Sequence, residues 1–291
     1  MTIPAYTLQS GRTLDQLAKQ FVVLARVPVS AAVSVVSMLG YLLYRQEMTV
    51  ALFLLGIASF LLCAGCSAVN QVQEKRTDAF FTRTYLRPLP QGLVSIKEAL
   101  LAGCLWWLLG ILFYAIAGGR AAVVCAFLVI LLYNGLYTGL KRRTGYALLV
   151  GSIAGAMPSL VGWVVAGGYP FDPFIITNCV IWYLVQIPHS WLRVATYLQE
   201  YRSPYCPLPV AYVLFTHKAA ILRIWRVGFL CCVSFFALVC FWRFHVPIGS
   251  SIGLVFLLVA GMLLPVTTRR SYMLFEATAV LVTLGAIGIQ L

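Results

Sequence analysis

The sequence predicts an all-α protein that crosses a membrane many times. Of its 291 residues, 62% are hydrophobic and only 10% are charged, whereas soluble domains carry about 25% charged residues. The apolar residues come in long runs, and about 20 such residues span a bilayer as a helix. No stretch between these runs is long enough for a separate soluble domain, so we interpret residues 1–291 as one transmembrane domain.

Residues 1–23 are predicted to lie at the membrane surface, since the first twenty of them are largely polar. Within this segment, Thr13 to Gln20 are predicted to form a short amphipathic helix. Nine candidate membrane helices follow and are expected to surround a central cavity. They cover about residues 24–44, 48–69, 95–117, 120–139, 146–167, 171–188, 219–242, 248–267 and 271–290.

Two of the predicted membrane helices carry residues that disturb regular helix geometry. The fifth contains Gly151, Gly155 and Pro158, which predict a kinked or closely packed helix. The sixth is expected to be interrupted late, at Pro188.

The positive charges fall almost entirely on one side of the predicted topology. If the N-terminus is cytoplasmic, all 21 Lys and Arg residues except Arg45, Arg120 and Arg243 lie in cytoplasmic segments. This bias predicts nine spans with the N-terminus inside, in the cell membrane. The net charge of +13 then faces anionic lipid and not nucleic acid, since no basic soluble module is present.

The two longest cytoplasmic connections, about residues 70–94 and 189–218, are expected to build a site that opens to the cytoplasm. Asn70, Glu74 and Asp78 in the first connection stand four residues apart, so they share one helix face. Ionisable groups near a membrane are costly and are usually functional. Carboxylates that can hold Mg²⁺ beside cations that can hold phosphate indicate a site for a polyphosphate ester.

The run from Asn70 to Gly92 reads N-x-x-x-E-x-x-x-D-x-x-x-x-R-T-x-x-R-P-L-x-x-G. It resembles the first acidic motif of the UbiA superfamily of intramembrane prenyltransferases. Two further stretches, Tyr137 to Trp163 and Ile187 to Val210, are similar to the protoheme IX farnesyltransferase (heme O synthase) branch, with YTGLKRRT, GAMPSLVGW and IPHSW. The resemblance covers most of residues 26–210.

The resemblance implies Mg²⁺-assisted ionisation of farnesyl diphosphate and attack on a vinyl group of protoheme IX, so heme b is a substrate. Asn70, Glu74 and Asp78 are implied to bind the metal, and Glu200 in the second connection is the candidate for a second ion. The first three residues and Lys141 form the predicted catalytic set. The cations expected to neutralise the departing diphosphate are Lys75, Arg83, Arg87, Lys141 and Arg142.

The resemblance also implies contacts with the heme acceptor. His189 matches a motif histidine that could ligate iron or orient a propionate, and Trp191 and Arg193 follow it. Tyr137 and Trp163 are candidates for the cavity wall, since aromatic faces stabilise cations by about 0.5–2 kcal/mol. A heme product predicts association with terminal oxidase assembly proteins or heme A synthase.

Some residues depart from the pattern of this branch, and two alternatives follow from them. The departures are Ala147, Ser152, Ser190 and Gln199. They lie nearest the expected acceptor, so a UbiA-type enzyme with a quinone precursor or another aromatic acceptor is one alternative. A non-catalytic heme- or lipid-binding assembly factor is the other, although the three acidic-motif residues argue against a bare scaffold.

Overall fold

The computed structural model describes residues 13–208, apart from the side chains at 188, 189, 191–193 and 195, and separate positions between 228 and 239. Within these residues every regular element is helical and none is a strand, which confirms the all-α class. The predicted spans at 248–267 and 271–290, and most of the span at 219–242, lie outside the described residues.

The predicted surface helix and the first six predicted spans all have helical counterparts. The elements are α1 Leu14–Leu24, α2 Val27–Arg45, α3 Val50–Gln73, α4 Lys75–Phe80, α5 Ile96–Ile130, a π-helical segment Leu131–Tyr137, α6 Thr138–Leu140, α7 Ala147–Val165, α8 Pro173–Thr196 and α9 Leu198–Arg202. Thr13 caps α1 by accepting the Gln16 N–H at 3.3 Å. Helices α2, α3 and α7, and the stretch from Ile96 to Leu140, are long and apolar enough to cross a membrane.

The long apolar stretch from Ile96 to Leu140 folds back on itself at Gly119. The Trp107 indole N–H donates to the Cys66 sulfur at 3.4 Å, and the Asn134 amide donates to the Cys66 carbonyl oxygen at 3.0 Å. In one straight helix these two donors would stand about 40 Å apart, so both reach Cys66 only because the arms run antiparallel. Gly119, at φ 62° and ψ −149°, adopts a conformation that glycine alone takes readily. The separate spans predicted at 95–117 and 120–139 therefore form a hairpin.

The predicted interruption at Pro188 is wrong, because α8 continues through it to Thr196. A membrane helix keeps a proline where neighbouring groups satisfy the freed backbone carbonyl. Helix α7 likewise continues through Pro158. The close packing predicted for α7 is confirmed, since Gly151 lies against the Tyr137 ring and Gly155 against the Gln186 side chain.

Helices α2 and α7 approach so closely that backbone meets backbone. A Cβ atom added to Gly162 would stand 1.9 Å from the Ser37 carbonyl oxygen, and one added to Gly40 would stand 2.1 Å from the Ser159 carbonyl oxygen. Small residues at such crossings let membrane helices associate through van der Waals contact.

Replacing Gly162 by alanine is expected to destabilise the protein by about 1–3 kcal/mol, because two helix backbones would have to separate. The midpoint of thermal unfolding in detergent micelles measures this loss. Gly139→Ala is the matched control, since in the described part of the chain no atom beyond its own helix backbone and chain neighbours lies within 4 Å of the added Cβ. Equal midpoints for the two variants would contradict the close crossing of α2 and α7.

Several connecting segments meet at one end of the bundle. The contacts there are Gln71 with the Leu24 carbonyl, Glu74 with Lys141, and Thr82 with Glu200. At the other end, the Trp163 indole donates to the Tyr169 carbonyl oxygen and its ring packs 4.9 Å from that of Tyr44. The connection predicted at 70–94 and the described part of the connection predicted at 189–218 therefore share one end of the bundle.

Candidate active site

The three predicted oxygen donors lie buried together at that shared end. Asn70, Glu74 and Asp78 expose 3%, 4% and 2% of their surface. The Glu74 N–H donates to the Asn70 carbonyl oxygen at 2.8 Å and the Asp78 N–H donates to the Glu74 carbonyl oxygen at 2.7 Å, so the four-residue spacing is kept. The helix itself is broken, since α3 ends at Gln73, α4 begins at Lys75, and Glu74 lies between them at φ −101°. The shared face is thus built on two helices and not on the single helix that the spacing predicted.

The Glu74 carboxylate forms an ion pair with Lys141, which comes from a distant part of the chain. Lys141 follows α6, and its Nζ lies 2.9 Å from Glu74 Oε1. The glutamate side chain is 5% exposed and the lysine side chain 20%. Their attraction is therefore screened less by water than that of a surface pair. The same Nζ lies 5.9 Å from the centre of the Tyr137 ring.

The Asp78 carboxylate is paired with Arg87, with 2.7 Å between Oδ2 and Nη1. A compact turn brings the arginine back: Thr84 Oγ1 donates to the Asp78 carbonyl oxygen at 2.9 Å, and the Arg87 N–H donates to the Thr84 carbonyl oxygen at 3.0 Å. Burial raises the pKa of the Asp78 carboxyl above its ordinary value, against the opposite effect of the Arg87 charge. Nearby cations, Arg87 first among them, therefore stabilise the charged form of Asp78.

Thr138, which follows the π-helical segment, orients the Asn70 side chain. Thr138 Oγ1 accepts from the Asn70 amide nitrogen at 3.1 Å and donates to the Tyr133 carbonyl oxygen at 2.8 Å. Because the nitrogen of the Asn70 amide is engaged by Thr138, its oxygen is the atom that a metal could use. π-Helical turns are frequent at functional sites.

Three polar residues that the sequence patterns did not single out support the acidic motif. Thr138 bonds to Asn70, Thr84 bonds to the Asp78 carbonyl oxygen, and Asn134 bonds to Gln73, the residue before Glu74. Asn134 could have been recognised from the sequence, because an amide within an apolar membrane run needs polar partners. It donates to the Cys66 carbonyl oxygen at 3.0 Å and, more loosely, to Gln73 Oε1 at 3.4 Å. The threonines carried no such signal, since a threonine hydroxyl can bond to the backbone of its own helix.

Among the residues that the structure describes, the other predicted cations form no ion pair with the two carboxylates. Lys75 and Arg83 are half-buried and Arg142 is exposed. The guanidinium carbon of Arg83 lies 5.7 Å from the centre of the Phe81 ring. Its buried Nε has no hydrogen-bond partner within the described part of the chain. Contacts between these three cations and a diphosphate stay a prediction.

Glu200, the predicted ligand of a second metal, lies on α9 and is bonded to Thr82. Its Oε2 accepts the Thr82 N–H at 3.0 Å, and its Oε1 accepts the Thr82 hydroxyl at 2.5 Å. Across the described ranges, no three His, Cys, Asp or Glu side chains gather as a candidate metal group. Glu200 thus joins the two connections without joining the metal-binding candidates Glu74 and Asp78.

The two aromatic candidates for the cavity wall lie at opposite ends of the bundle. Tyr137 stands beside Lys141 and is therefore close to the paired charges. Trp163 is 1% exposed and belongs to an apolar cluster with Leu43 and Phe174 at the other end of α7. The structure therefore brings Tyr137, and not Trp163, to the acidic residues.

The predicted heme contacts and the departures from the motif pattern lie along α7, α8 and α9. The side chains of His189, Trp191 and Arg193 lie outside the described residues, and the backbone places all three in the last turns of α8. Ala147 and Ser152 are buried on α7, where the serine hydroxyl donates to the Leu148 carbonyl oxygen at 2.9 Å. Ser190 is half-buried and Gln199 is exposed.

Known proteins resemble the chain in sequence over most of its length. The sequence model of the UbiA prenyltransferase family matches residues 27–275. The protoheme IX farnesyltransferase of Nitratidesulfovibrio vulgaris is 40% identical over 202 residues, which are 69% of this chain and 70% of that protein. The protoheme IX farnesyltransferase of Oleidesulfovibrio alaskensis is 35% identical over 208 residues, which are 71% and 73% of the two chains.

Solved structures share the fold of the chain. The apo structure of a UbiA homolog from Aeropyrum pernix K1 matches with a TM-score of 0.71 and 18% identity, over 91% of this chain and 99% of that one. A UbiA homolog from Archaeoglobus fulgidus bound to GPP and Mg²⁺ matches with a TM-score of 0.64 and 11% identity, over 93% and 99%. At these identities the likeness concerns the fold.

Proposed function

Because this chain belongs to the UbiA prenyltransferase family, we propose that it transfers the farnesyl group of farnesyl diphosphate to a vinyl group of protoheme IX, giving heme O. The names of its similar relatives support this choice of substrates. The observation that carries the proposal is the buried pair of carboxylates, Glu74 and Asp78, each matched with a cation. A scaffold without catalysis would have no use for charges that are costly to keep away from water.

The donor set fits Mg²⁺, a hard cation that proteins hold through one or two carboxylates, with waters and substrate phosphate oxygens completing the shell. Glu74 and Asp78 are the carboxylates in this proposal, and Asn70 offers a neutral amide oxygen. When bound, Mg²⁺ would neutralise charge that develops on the diphosphate. The Mg²⁺-bound UbiA homolog of the same fold supports this choice of metal.

The two ion pairs prepare the site to receive a diphosphate. Lys141 and Arg87 already lie 2.9 Å and 2.7 Å from the carboxylates, so a diphosphate held there meets a lysine point charge and an arginine fork. On binding, each cation can turn from its carboxylate to a phosphate oxygen. Lys75, Arg83 and Arg142 are proposed as further charges around the leaving group.

The acceptor is proposed to bind beside Tyr137. When the bond between the prenyl carbon and the diphosphate oxygen breaks, the leaving group takes the electron pair and an allylic cation is left. The rings of Tyr133 and Tyr137, 5.7 Å apart, can stabilise that cation through their faces. The heme vinyl group then attacks the allylic cation, which leaves a carbocation on the former vinyl group. Water adds to this carbocation and loses a proton to solvent, which completes a hydroxyethylfarnesyl side chain. On α8, the proposed heme contacts are His189, Trp191 and Arg193.

The site is proposed to open to the cytoplasm at the cell membrane. Support comes from the sequence, where nearly all Lys and Arg residues fall on the side that carries the acidic motif. Heme made at this face is proposed to pass to terminal oxidase assembly proteins or to heme A synthase.

Purified protein given heme b, farnesyl diphosphate and Mg²⁺ is expected to produce hydroxyethylfarnesyl heme, detected by mass spectrometry. Chelation of Mg²⁺ with EDTA is expected to stop product formation, and added Mg²⁺ to restore it. Folded protein that yields no such heme under these conditions would contradict the proposal. Prenylation of an aromatic acid in its place would favour the other class of acceptor.

A further inference from the structure

We propose that Gln186 holds the water molecule that adds to the prenylated acceptor, so that the transfer ends in an alcohol and not in an alkene. The inference rests on the function proposed above and deepens it. Gln186 lies on α8, three residues before His189. A glutamine that the sequence motifs did not single out is thereby given a task at the step after prenyl transfer.

The side chain of Gln186 lies against Gly155 of α7, inside an apolar part of the bundle. A Cβ atom added to that glycine would stand 2.7 Å from Gln186 Cγ and 3.1 Å from its amide nitrogen. The neighbours Val185 and Ile187 are buried, whereas Gln186 is half-buried. Among the residues that the structure describes, none forms a hydrogen bond with its side-chain amide. Because an amide in a membrane helix needs polar partners, this one is suited to bind water or substrate.

Gly155 belongs to the inner face of α7. Leu149 and Ile153, one turn apart, are exposed and mark the outer face of this helix. Gly151 and Gly155 are also one turn apart and lie on the opposite side, because each residue turns an α-helix by about 100°. Both glycines are half-buried although they face inward. The space beside them is therefore not fully closed by packed side chains, which leaves room for a small molecule.

Gln186 lies one helical turn deeper in the bundle than Tyr137. The Tyr137 ring packs against Gly151, four residues closer to the start of α7 than Gly155. The Lys141 Nζ lies 5.9 Å from the centre of that ring. Along α7, the tyrosine ring and the glutamine side chain are therefore about 6 Å apart, with the ring on the side of the paired charges. Because the allylic cation is proposed to form beside Tyr137, the vinyl group that attacks it lies within reach of Gln186.

The carbocation left on the former vinyl group has two possible fates. Water can form a C–O bond through an oxygen lone pair and then lose a proton to solvent, which gives the hydroxyethyl group. Otherwise the carbon next to the cation loses a proton to solvent, and the C–H electron pair forms a C=C bond. A water whose O–H donates to the Gln186 amide oxygen keeps a lone pair for the cation. A water held in this way favours the alcohol, because it is already oriented when the cation forms.

The test measures the ratio of alkene to alcohol among the prenylated hemes, which differ in mass by one water molecule. Gln186→Met keeps the length of the side chain and removes the amide. This variant is expected to raise the ratio about 10-fold, as the loss of one hydrogen bond to the reacting water would. Pyrophosphate release should stay close to the wild-type rate, since it precedes the water step. Gln186→Glu keeps an oxygen acceptor and is expected to keep a ratio close to that of the wild type.

Leu184→Met is the matched control, since it places the same side chain two residues away on α8 and should leave the ratio unchanged. Gln186→Met should not lower the unfolding midpoint in detergent, and a lower midpoint would overturn the proposal by showing that the amide is structural. A wild-type ratio in Gln186→Met, an equally raised ratio in Gln186→Glu, or loss of pyrophosphate release in Gln186→Met would also overturn it. These results leave the proposed function intact, whereas wild-type protein that prenylates no heme would contradict that function and this inference together.

Discussion

Replacement of Asp78 by asparagine is expected to lower kcat for farnesyl transfer at least about 100-fold without unfolding the protein. Asparagine keeps the shape of the side chain, and its oxygen can still accept from Arg87. The lost property is the negative charge, which the proposed metal needs. Burial raises the pKa of the Asp78 carboxyl, so removing its charge relieves a desolvation cost but also removes the attraction to Arg87. These two effects oppose each other, and the unfolding midpoint should change little.

Asp172→Asn is the matched control for this experiment. Asp172 lies just before α8, at the other end of the bundle, where its Oδ1 accepts the Phe174 N–H at 2.9 Å. Asparagine caps a helix about as well as aspartate, so this variant should keep both stability and activity. Steady-state assays with farnesyl diphosphate and heme b, beside thermal unfolding curves, measure the two properties separately. Wild-type kcat in Asp78→Asn would remove Asp78 from the proposed metal site.

Replacement of Lys141 by methionine is expected to reduce both activity and stability. Activity should fall about 100-fold, because a cation that faces the diphosphate is lost. Stability should fall by up to about 3 kcal/mol, because Glu74 would remain buried without its partner. The second loss is reduced by the partial exposure of the lysine, whose side chain is 20% accessible.

A double variant separates these two effects. Glu74→Gln combined with Lys141→Met removes the buried charge together with its partner, so stability should return towards that of the wild type while activity stays lost. Arg143→Met, which removes an exposed cation close by in sequence, is expected to change neither property. Unfolding midpoints and kcat for the four proteins test the prediction. A double variant that regained activity would show that the ion pair is structural only.

The membrane helices can be predicted from the sequence wherever hydrophobicity alone determines their position. Apolar runs of about 20 residues separated by polar loops predicted the first six spans, including the break near Gly119. Pro188 was misjudged because the tolerance of a membrane helix for proline depends on its neighbours, which a sequence does not show. The π-helical segment was not predictable either, since no feature of its residues distinguishes a π-helical turn from an ordinary helix.

The candidate site was predictable where its residues lie close in the chain. Four-residue steps placed Asn70, Glu74 and Asp78 on one face, although the break at Glu74 required the structure. Lys141 came from a resemblance to a known family, because no local pattern links it to Glu74. The distance of Trp163 from the acidic residues could have been predicted by counting residues along α7, because Trp163 lies about 24 Å from the start of that helix. The hydrogen bonds from Thr82 to Glu200 depend on how two loops dock, and spacing does not encode that.

The pairing of each carboxylate with its own cation has a consequence for turnover under the proposed mechanism. Once pyrophosphate and its metal begin to leave, Lys141 and Arg87 can return to Glu74 and Asp78. The carboxylates then compete with pyrophosphate for the two cations, and the cations compete with the metal for the two carboxylates. Between catalytic cycles, the two carboxylates and the two cations neutralise each other. Re-formation of the two ion pairs thus favours product release and restores the resting state of the site.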